Sequence, residues 1–342
     1  MLEAFWYIVC RSKQLGRQPL RRRLFDRRLV LFRDRDGRAA CLEDRCLHRN
    51  MPLSAGQVVE GTLQCPYHGW RYDGAGRVCA IPAMPACAHR AHAIQAKHYP
   101  VKEQDGYIWV SLAEQPAQPE PPRFPHLNER GWASFRMSRV ADGGVEAWLE
   151  NFLDCPHTSY VHKGLFRNPS TRVMRVRVRE LTDGAEAEFL EADEERRTSL
   201  IWKLLVPKKV PVQHIDRFIA PAMSRVEYHA DNHDYFISSL CTPISASRTA
   251  INTVITFRHG LLTPFVRIVL PPLAQLILQQ DVAVLRRQHE NIEHFGGERF
   301  RVIPQDLLLP HIRRWRRALA EGRTPTPRTE QNRAERERDI VI

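Results

Sequence analysis

The chain has 342 residues, 43% hydrophobic and 26% charged, with a formal net charge of +12. That balance excludes a disordered chain, which combines low hydrophobicity with high charge, and the length is enough for two domains with cores of their own. The excess arginine is scattered (Arg21 to Arg23, Arg175/Arg177/Arg179, Arg313 to Arg317); it fits no nucleic-acid-binding motif and reads as solvated surface or as a face for an acidic redox partner.

In chain order, Met1 to Cys10 carries Glu3 where an export signal needs a base, so a cytoplasmic location is expected. An apolar run from Leu29, broken by Asp34-Arg35-Asp36-Gly37 and resumed to Leu42, predicts a β-hairpin with an Asp-Gly turn. Next come Cys46-Leu47-His48 and, after sixteen residues, Cys65-Pro66-Tyr67-His68. Each of two loops thus offers one thiolate and one imidazole. A zinc finger usually draws its cysteines from one turn and its histidines from another, whereas a Rieske centre holds one iron on two cysteines and the other on two histidines. Pro52, Gly56, Pro66, Gly69, Gly74 and Gly76 punctuate the segment, as tight loops require. The pattern predicts a [2Fe–2S] Rieske cluster on Cys46, His48, Cys65 and His68. The cysteines at 10, 41, 79, 87, 155 and 241 have neither a histidine at ligand spacing nor the density of a disulfide scaffold. Cys46-Leu47-His48-Arg49 and Cys65-Pro66-Tyr67-His68-Gly69-Trp70 resemble the Rieske domain of the ring-hydroxylating oxygenases, from Trp6 to about Leu112.

Tyr107 to Leu112 reads as a strand. Five of the ten residues from Pro116 to Pro125 are proline, too many for a helix or a central strand, so the chain divides into 1–115, a Pro-rich linker at 116–127, and 128–342. Trp148 to Val161 has helical character, broken at Pro156. Two imidazoles and a carboxylate on one face of Fe(II) leave positions open for O₂ and substrate; His157 and His162 are the imidazole candidates. With Asn151 and Asp154 they resemble the Asn-x-x-Asp-x-x-His-x₄-His motif of the oxygenase α subunits. On a regular helix, residues five apart point about 140° away from each other, which predicts a π-type bulge or a helix end near Pro156. Met174, Val176 and Val178 alternate with three arginines, and runs at Leu200 to Val206, Tyr235 to Leu240 and Thr249 to Phe257 extend an antiparallel sheet. Leu261 to Leu278 is interrupted by Arg267 and Pro271-Pro272, so no membrane span is expected. Leu273 to Ile292 reads as a helix. The tail after Arg323 is expected to pack loosely or to lie along a surface.

The resemblance implies an α+β chain: an all-β Rieske domain, then a helix-grip-like catalytic domain with an antiparallel sheet. It implies a mononuclear Fe(II) whose carboxylate lies on a helix more than a hundred residues after the second histidine. Asp281 fits best, with Asp306 and Glu290 in reserve. In the family, the counterpart of Asp154 is no metal ligand. It links a mononuclear-site histidine to a cluster histidine of the next subunit in a head-to-tail homotrimer, which here would join His157 of one chain to His68 of another. The implied reaction is O₂ activation with electrons from a separate reductase or ferredoxin, since no flavin or dinucleotide fingerprint is present, and monooxygenation of a small cyclic substrate. O- or N-demethylation follows from the same step. Length and domain order are similar to the α-only oxygenases, which include saxitoxin-pathway hydroxylases and vanillate-type demethylases. A reading from another class is a Rieske electron carrier with a fused binding domain, which predicts no iron at His157 and His162. His89, His92, His98, His126 and His214 lack a ligand partner in the sequence and read as surface residues, and Cys155 reads as a packed thiol.

Overall fold

In the computed structural model residues 1–84, 94–165, 173–190, 212–326 and 336–341 are described. They form two units, Leu2–Arg123 and Phe124–Ile342. The predicted strand at Leu200 to Val206, His89 and His92 lie outside the described residues.

The first unit is built of short strands because its sequence turns every few residues. Strands β1 (Tyr7–Arg11), β2 (Leu20–Leu24), β3 (Arg27–Arg33), β4 (Ala39–Glu43), β5 (Gln57–Val59), β6 (Thr62–Gln64), β7 (Arg71–Tyr72), β8 (Val78–Ala80), β9 (Val101–Gln104) and β10 (Tyr107–Val110) make three small antiparallel sheets, ordered β1-β10-β9, β2-β3-β4 and β5-β6-β7-β8. The predicted hairpin is β3–β4. Asp34 Oδ1 accepts the N–H groups of Asp36 and Arg38 at its turn, and Gly37 adopts φ 75°, a conformation that costs glycine little. Val30, Phe32, Leu42, Leu53, Leu63, Tyr72 and Val78 pack into a cluster that also takes in Cys46 and Cys65. The Pro-rich stretch is fastened along this unit. Ala117 N–H donates to Ala4 O (2.8 Å), Trp6 Nε1–H to Gln118 O (2.8 Å), and Gln104 Nε2–H to Pro121 O and Pro122 O (3.3 Å each).

The second unit runs β11 (Ala133–Asp142), α1 (Val145–Leu153), α2 (Thr158–Val161), β12 (Val173–Leu181), β13 (Gly184–Phe189), β14 (Gln213–Ile219), β15 (Met223–Ala230), β16 (His233–Ser245), β17 (Arg248–His259), α3 (Thr263–His294), α4 (Leu309–Ala320) and β18 (Arg336–Val341). Among the described residues its eight strands form one antiparallel sheet in the order β11-β17-β16-β15-β14-β13-β12-β18. On β12, Met174, Val176 and Val178 are buried, while Arg179 on the opposite face pairs with Glu186 and Glu188 of β13. Of the two expectations for the tail, loose packing does not hold for Arg336–Val341, which pairs antiparallel with β12 as an edge strand.

Helix α3 also differs from expectation, since it starts at Thr263 and runs through Pro271 and Pro272. Those prolines cannot donate to the carbonyls of Arg267 and Ile268, but both residues are exposed, so water can take the donors' place. By length and composition Gly260–His294 is apolar enough to cross a membrane. Its buried stripe of Val266, Leu270, Ala274, Leu278, Asp281 and Leu285 nevertheless has a partner in the sheet, where the first four pack with Met137, Tyr228, Tyr235 and Phe257. One member of that stripe is a carboxylate.

Two candidate metal centres

The two cysteine loops share one construction. Cys46 N–H donates to Met51 O (2.8 Å) and Asn50 N–H to Cys46 O (2.9 Å); Cys65 N–H donates to Trp70 O (2.8 Å) and Gly69 N–H to Cys65 O (3.1 Å). Each turn closes on a positive φ, 58° at Asn50 and 71° at Gly69, suited to asparagine and glycine. The thiols of Cys46 and Cys65 are buried, His48 is half-buried and His68 is exposed. The two imidazole rings stand 4.5 Å apart, and Trp70 stacks on His48 at 5.0 Å and 3°. Tyr72 Oη accepts Leu47 N–H (3.1 Å) and lies 3.2 Å from Cys46 Sγ. His48 Nδ1 is buried with no hydrogen-bond partner among the described residues, an orphaned donor atom that a metal would satisfy. Two sulfurs and two ring nitrogens from two loops fit a Rieske cluster with its histidines toward solvent.

The second centre begins where α1 stops. The helix ends at Leu153, and Asp154 turns to φ −93°, ψ 103°; of the two geometries expected near Pro156, the helix end is the one found. His157 then precedes the single turn of α2 and His162 follows it, which brings the rings to 5.3 Å instead of splaying them. Asp154 Oδ2 accepts His157 N–H (3.2 Å), and the Asp154 carbonyl accepts from His157 Nδ1. His162 Nδ1 donates to Gln280 Oε1 (2.8 Å). With both Nδ1 atoms donating, both Nε2 atoms carry lone pairs. These face Asp281 Oδ1, at 3.6 Å from His157 Nε2 and 3.1 Å from His162 Nε2.

Three acceptor atoms within 4.8 Å of one another repel unless a cation lies between them. Asp281 is 4% exposed, and its Oδ1 has no hydrogen-bond partner among the described residues. Without a metal a proton does that work. Burial pulls the His157 imidazole down, but the Asp154 and Asp281 carboxylates outweigh it and raise it to about 9. Burial likewise pushes Asp281 up, and the two imidazoles more than reverse this, leaving it below the usual carboxylate range. The set could hold a divalent ion as two imidazoles and one carboxylate. The reserve acids lie apart from it: Asp306 accepts the N–H of Ile303, and Glu290 faces Arg286.

A cavity opens beside this triad, bordered by Asn151, Asp154 and Ile277 and, on the sheet side, by His214 and Asp216. Asn151 Nδ2 is buried with no hydrogen-bond partner among the described residues. Cys155, buried as expected of a packed thiol, borders the cavity as well. The surface reading of His214 is corrected: the side chain is 2% exposed. Sequence reasoning also passed over Gln280 and Tyr72, for which nothing in the local pattern signals a role.

Two family models match the chain: "Rieske [2Fe-2S] domain" over residues 5–100 and "Vanillate O-demethylase oxygenase C-terminal domain" over residues 142–322. Among curated proteins, the oxygenase component of dicamba O-demethylase from Stenotrophomonas maltophilia is 33% identical over 168 residues, covering 46% of this chain and 47% of that protein. Protein TIC 55 from Arabidopsis thaliana is 35% identical over 160 residues, covering 46% of this chain and 30% of that protein. The oxygenase subunit of phthalate 4,5-dioxygenase from Pseudomonas putida is 28% identical over 268 residues, covering 73% and 58%. The chain thus spans less than half the length of TIC 55 and of dicamba O-demethylase. Among solved structures, dicamba monooxygenase bound to dicamba superimposes with a TM-score of 0.77 at 23% identity over 94% of this chain and 98% of the other. NdmA from Pseudomonas putida CBB5 with caffeine gives 0.74 at 20% identity over 96% and 97%. At such identities these structures share the fold.

Proposed function

The chain belongs to the Rieske oxygenase α subunits, a family that carries a [2Fe–2S] cluster and a mononuclear iron, and from that premise we propose that it is a terminal oxygenase acting on a small cyclic substrate. When bound, the two iron groups would supply electron transfer from a separate reductase or ferredoxin and activation of O₂ for insertion of oxygen into the substrate. We assign the cluster to Cys46, His48, Cys65 and His68 in a domain spanning 1–115. The mononuclear iron falls to His157, His162 and Asp281 in a domain spanning 128–342, with 116–127 between them.

The observation that carries this reading is the convergence of His157 Nε2, His162 Nε2 and Asp281 Oδ1 within 4.8 Å. Gln280 and the Asp154 carbonyl fix the two imidazole tautomers so that Nε2 is the ligating atom, the part that outer partners play at metal sites. Asp281 arrives on a rigid helix already desolvated, so little reorganisation is needed to bind a cation. Asn151 borders the same cavity and serves there as a polar contact. Asp154 is a positioning residue, and in a head-to-tail homotrimer its carboxylate would join His157 to His68 of the next subunit. A reducing, cytoplasmic compartment suits Cys10, Cys41, Cys79, Cys155 and Cys241, which are free thiols among the described residues.

Demethylation is the second reading, favoured by the C-terminal family model and by the dicamba O-demethylase relative. It differs only in that the oxygenated carbon is a methyl on oxygen or nitrogen. Metal analysis tests the proposal. The native protein is expected to hold about three irons per chain, two in the cluster and one mononuclear. Asp281→Ala is expected to lose the mononuclear iron and all oxygenation while the cluster's EPR signal stays unchanged. About two irons in the native protein would instead make the chain an electron carrier.

A further inference from the structure

Helix α3 packs on the sheet along one side only. From Pro264 to Leu278 it has a single charge, Arg267, and a single amide, Gln275, so it is apolar all round, a composition that water-facing helices avoid. The stripe of Val266, Leu270, Ala274 and Leu278 is the one that meets the sheet. A second stripe begins in the turn Gly260–Leu262 that leads into the helix. It runs at helical spacing through Leu261, Phe265, Ile268, Pro272 and Leu276. All five are exposed, Leu261 at 99% and Ile268 at 74%. Farther along the same helix the exposed residues become Arg286, Arg287, Gln288 and Glu290, as contact with water requires, which sets the first four turns apart. A run of exposed apolar side chains of this size marks a surface that something else covers.

We infer that the exposed side of these first four turns docks on an anionic lipid bilayer surface and holds the protein peripherally on a membrane. Charge selects that occupant. The sequence has no Asp or Glu between Asp234 and Asp281, so the stripe brings no acid of its own. The charge it does bring is Arg267, which is exposed, on a chain of net charge +12. Two copies of this face brought together would set arginine against arginine, with no carboxylate from either segment to pair it. An anionic bilayer supplies both things the face asks for. Its headgroups meet the guanidinium of Arg267, whose stem can lie along the apolar side, and its acyl chains receive the leucines, Phe265 and Ile268. The helix lies in the plane of the interface and does not span, because its other stripe is committed to the sheet. The inference is independent of the oxygenase reading.

Co-sedimentation of the holoprotein with large vesicles at physiological salt tests this. Vesicles of phosphatidylcholine and phosphatidylglycerol in equal parts are expected to bind it at least about tenfold more tightly than vesicles of phosphatidylcholine alone. The double variant Leu261→Ser, Ile268→Ser is expected to lose at least about tenfold of that affinity, because interfacial binding scales with the apolar area buried. Arg267→Gln should lose about fivefold, as removal of one basic residue near a charged surface gives. Helix α3 has no tryptophan of its own. Emission from Phe265→Trp, compared with the native protein, is therefore expected to shift to the blue on the mixed vesicles and to be quenched by brominated acyl chains. Failure to sediment with the mixed vesicles, equal affinity for the two compositions, unchanged affinity of the double variant, or Phe265→Trp emission that brominated lipid leaves unmoved overturns the inference. So does a change of oligomeric state in the double variant, seen by sedimentation velocity without lipid, which would make this face a contact between copies of the chain.

Discussion

Tyr72 shows what one hydroxyl can do at a cluster. Its oxygen accepts Leu47 N–H and lies within reach of Cys46 Sγ; in the proposed cluster, where Cys46 would ligate as a thiolate, the hydroxyl would donate to sulfur. A donor at sulfur favours the more negative, reduced cluster, and hydrogen bonds of this kind help set Rieske potentials. Tyr72→Phe is expected to lower the midpoint potential by something on the order of tens of millivolts with the EPR line shape kept, as voltammetry would show; an unchanged potential would mean that the hydroxyl does not face the thiolate. Gln280 does for His162 what the Asp154 carbonyl does for His157. Gln280→Leu frees that ring to rotate, and mononuclear iron is expected to bind about 10- to 100-fold more weakly in chelator competition, with the cluster intact.

Helix α1 brings Glu150 into partly buried surroundings. Burial pushes its carboxyl up, Asp306, Asp154 and Glu298 add to this, and Arg313 opposes it, leaving it at about 7 against an ordinary value of 4.5. A carboxyl raised on folding favours the native state while it is protonated. That contribution is complete below about pH 4.5 and is lost as the pH rises through 7. Glu150→Gln is therefore expected to unfold at a higher temperature than the native protein at pH near 8 and at about the same temperature near pH 5. Thermal scans at the two pH values decide it, and an equal shift at both would remove titration as the cause. In α3, by contrast, the buried acid Asp281 stands in an otherwise apolar stripe, where the proposed iron would pair its charge.

At the scale of the whole molecule, the proposed homotrimer assigns Asp154 a second duty besides capping His157. Asp154→Asn keeps an acceptor for His157 N–H and removes the charge. Both metal centres are expected to stay occupied, while oxidation of the reduced cluster by O₂ with substrate present slows by at least about tenfold, as a loss of some 1.4 kcal/mol at the barrier would give. Stopped-flow single turnover reads this directly, and a native rate in the variant would exclude the inter-subunit bridge.

How much of this was legible in the sequence depended on distance along the chain. The Rieske domain could be read because its two loops declare themselves locally, through Cys and His at short spacing and turn residues such as Gly69 at positive φ. The β3–β4 hairpin could be read because apolar runs flank Asp34-Arg35-Asp36-Gly37, and β12 because apolar and polar residues alternate there with period two. Strand β14 could not. Its His214-Ile215-Asp216-Arg217-Phe218 puts polar residues on the buried face, so alternation gives no sign of which side is core, and His214 passes for a surface residue. The prolines of α3 look like breaks because sequence does not show that the carbonyls they leave unbonded belong to exposed residues. Local composition therefore determined the presence of a Rieske domain and an interruption of the helix near Pro156, as a π-type bulge or a helix end, of which the structure has the helix end. Only tertiary structure decided that Asp281, from a helix more than a hundred residues on, meets those two imidazoles, because convergence of side chains from distant elements depends on strand order and helix docking, which no local pattern encodes.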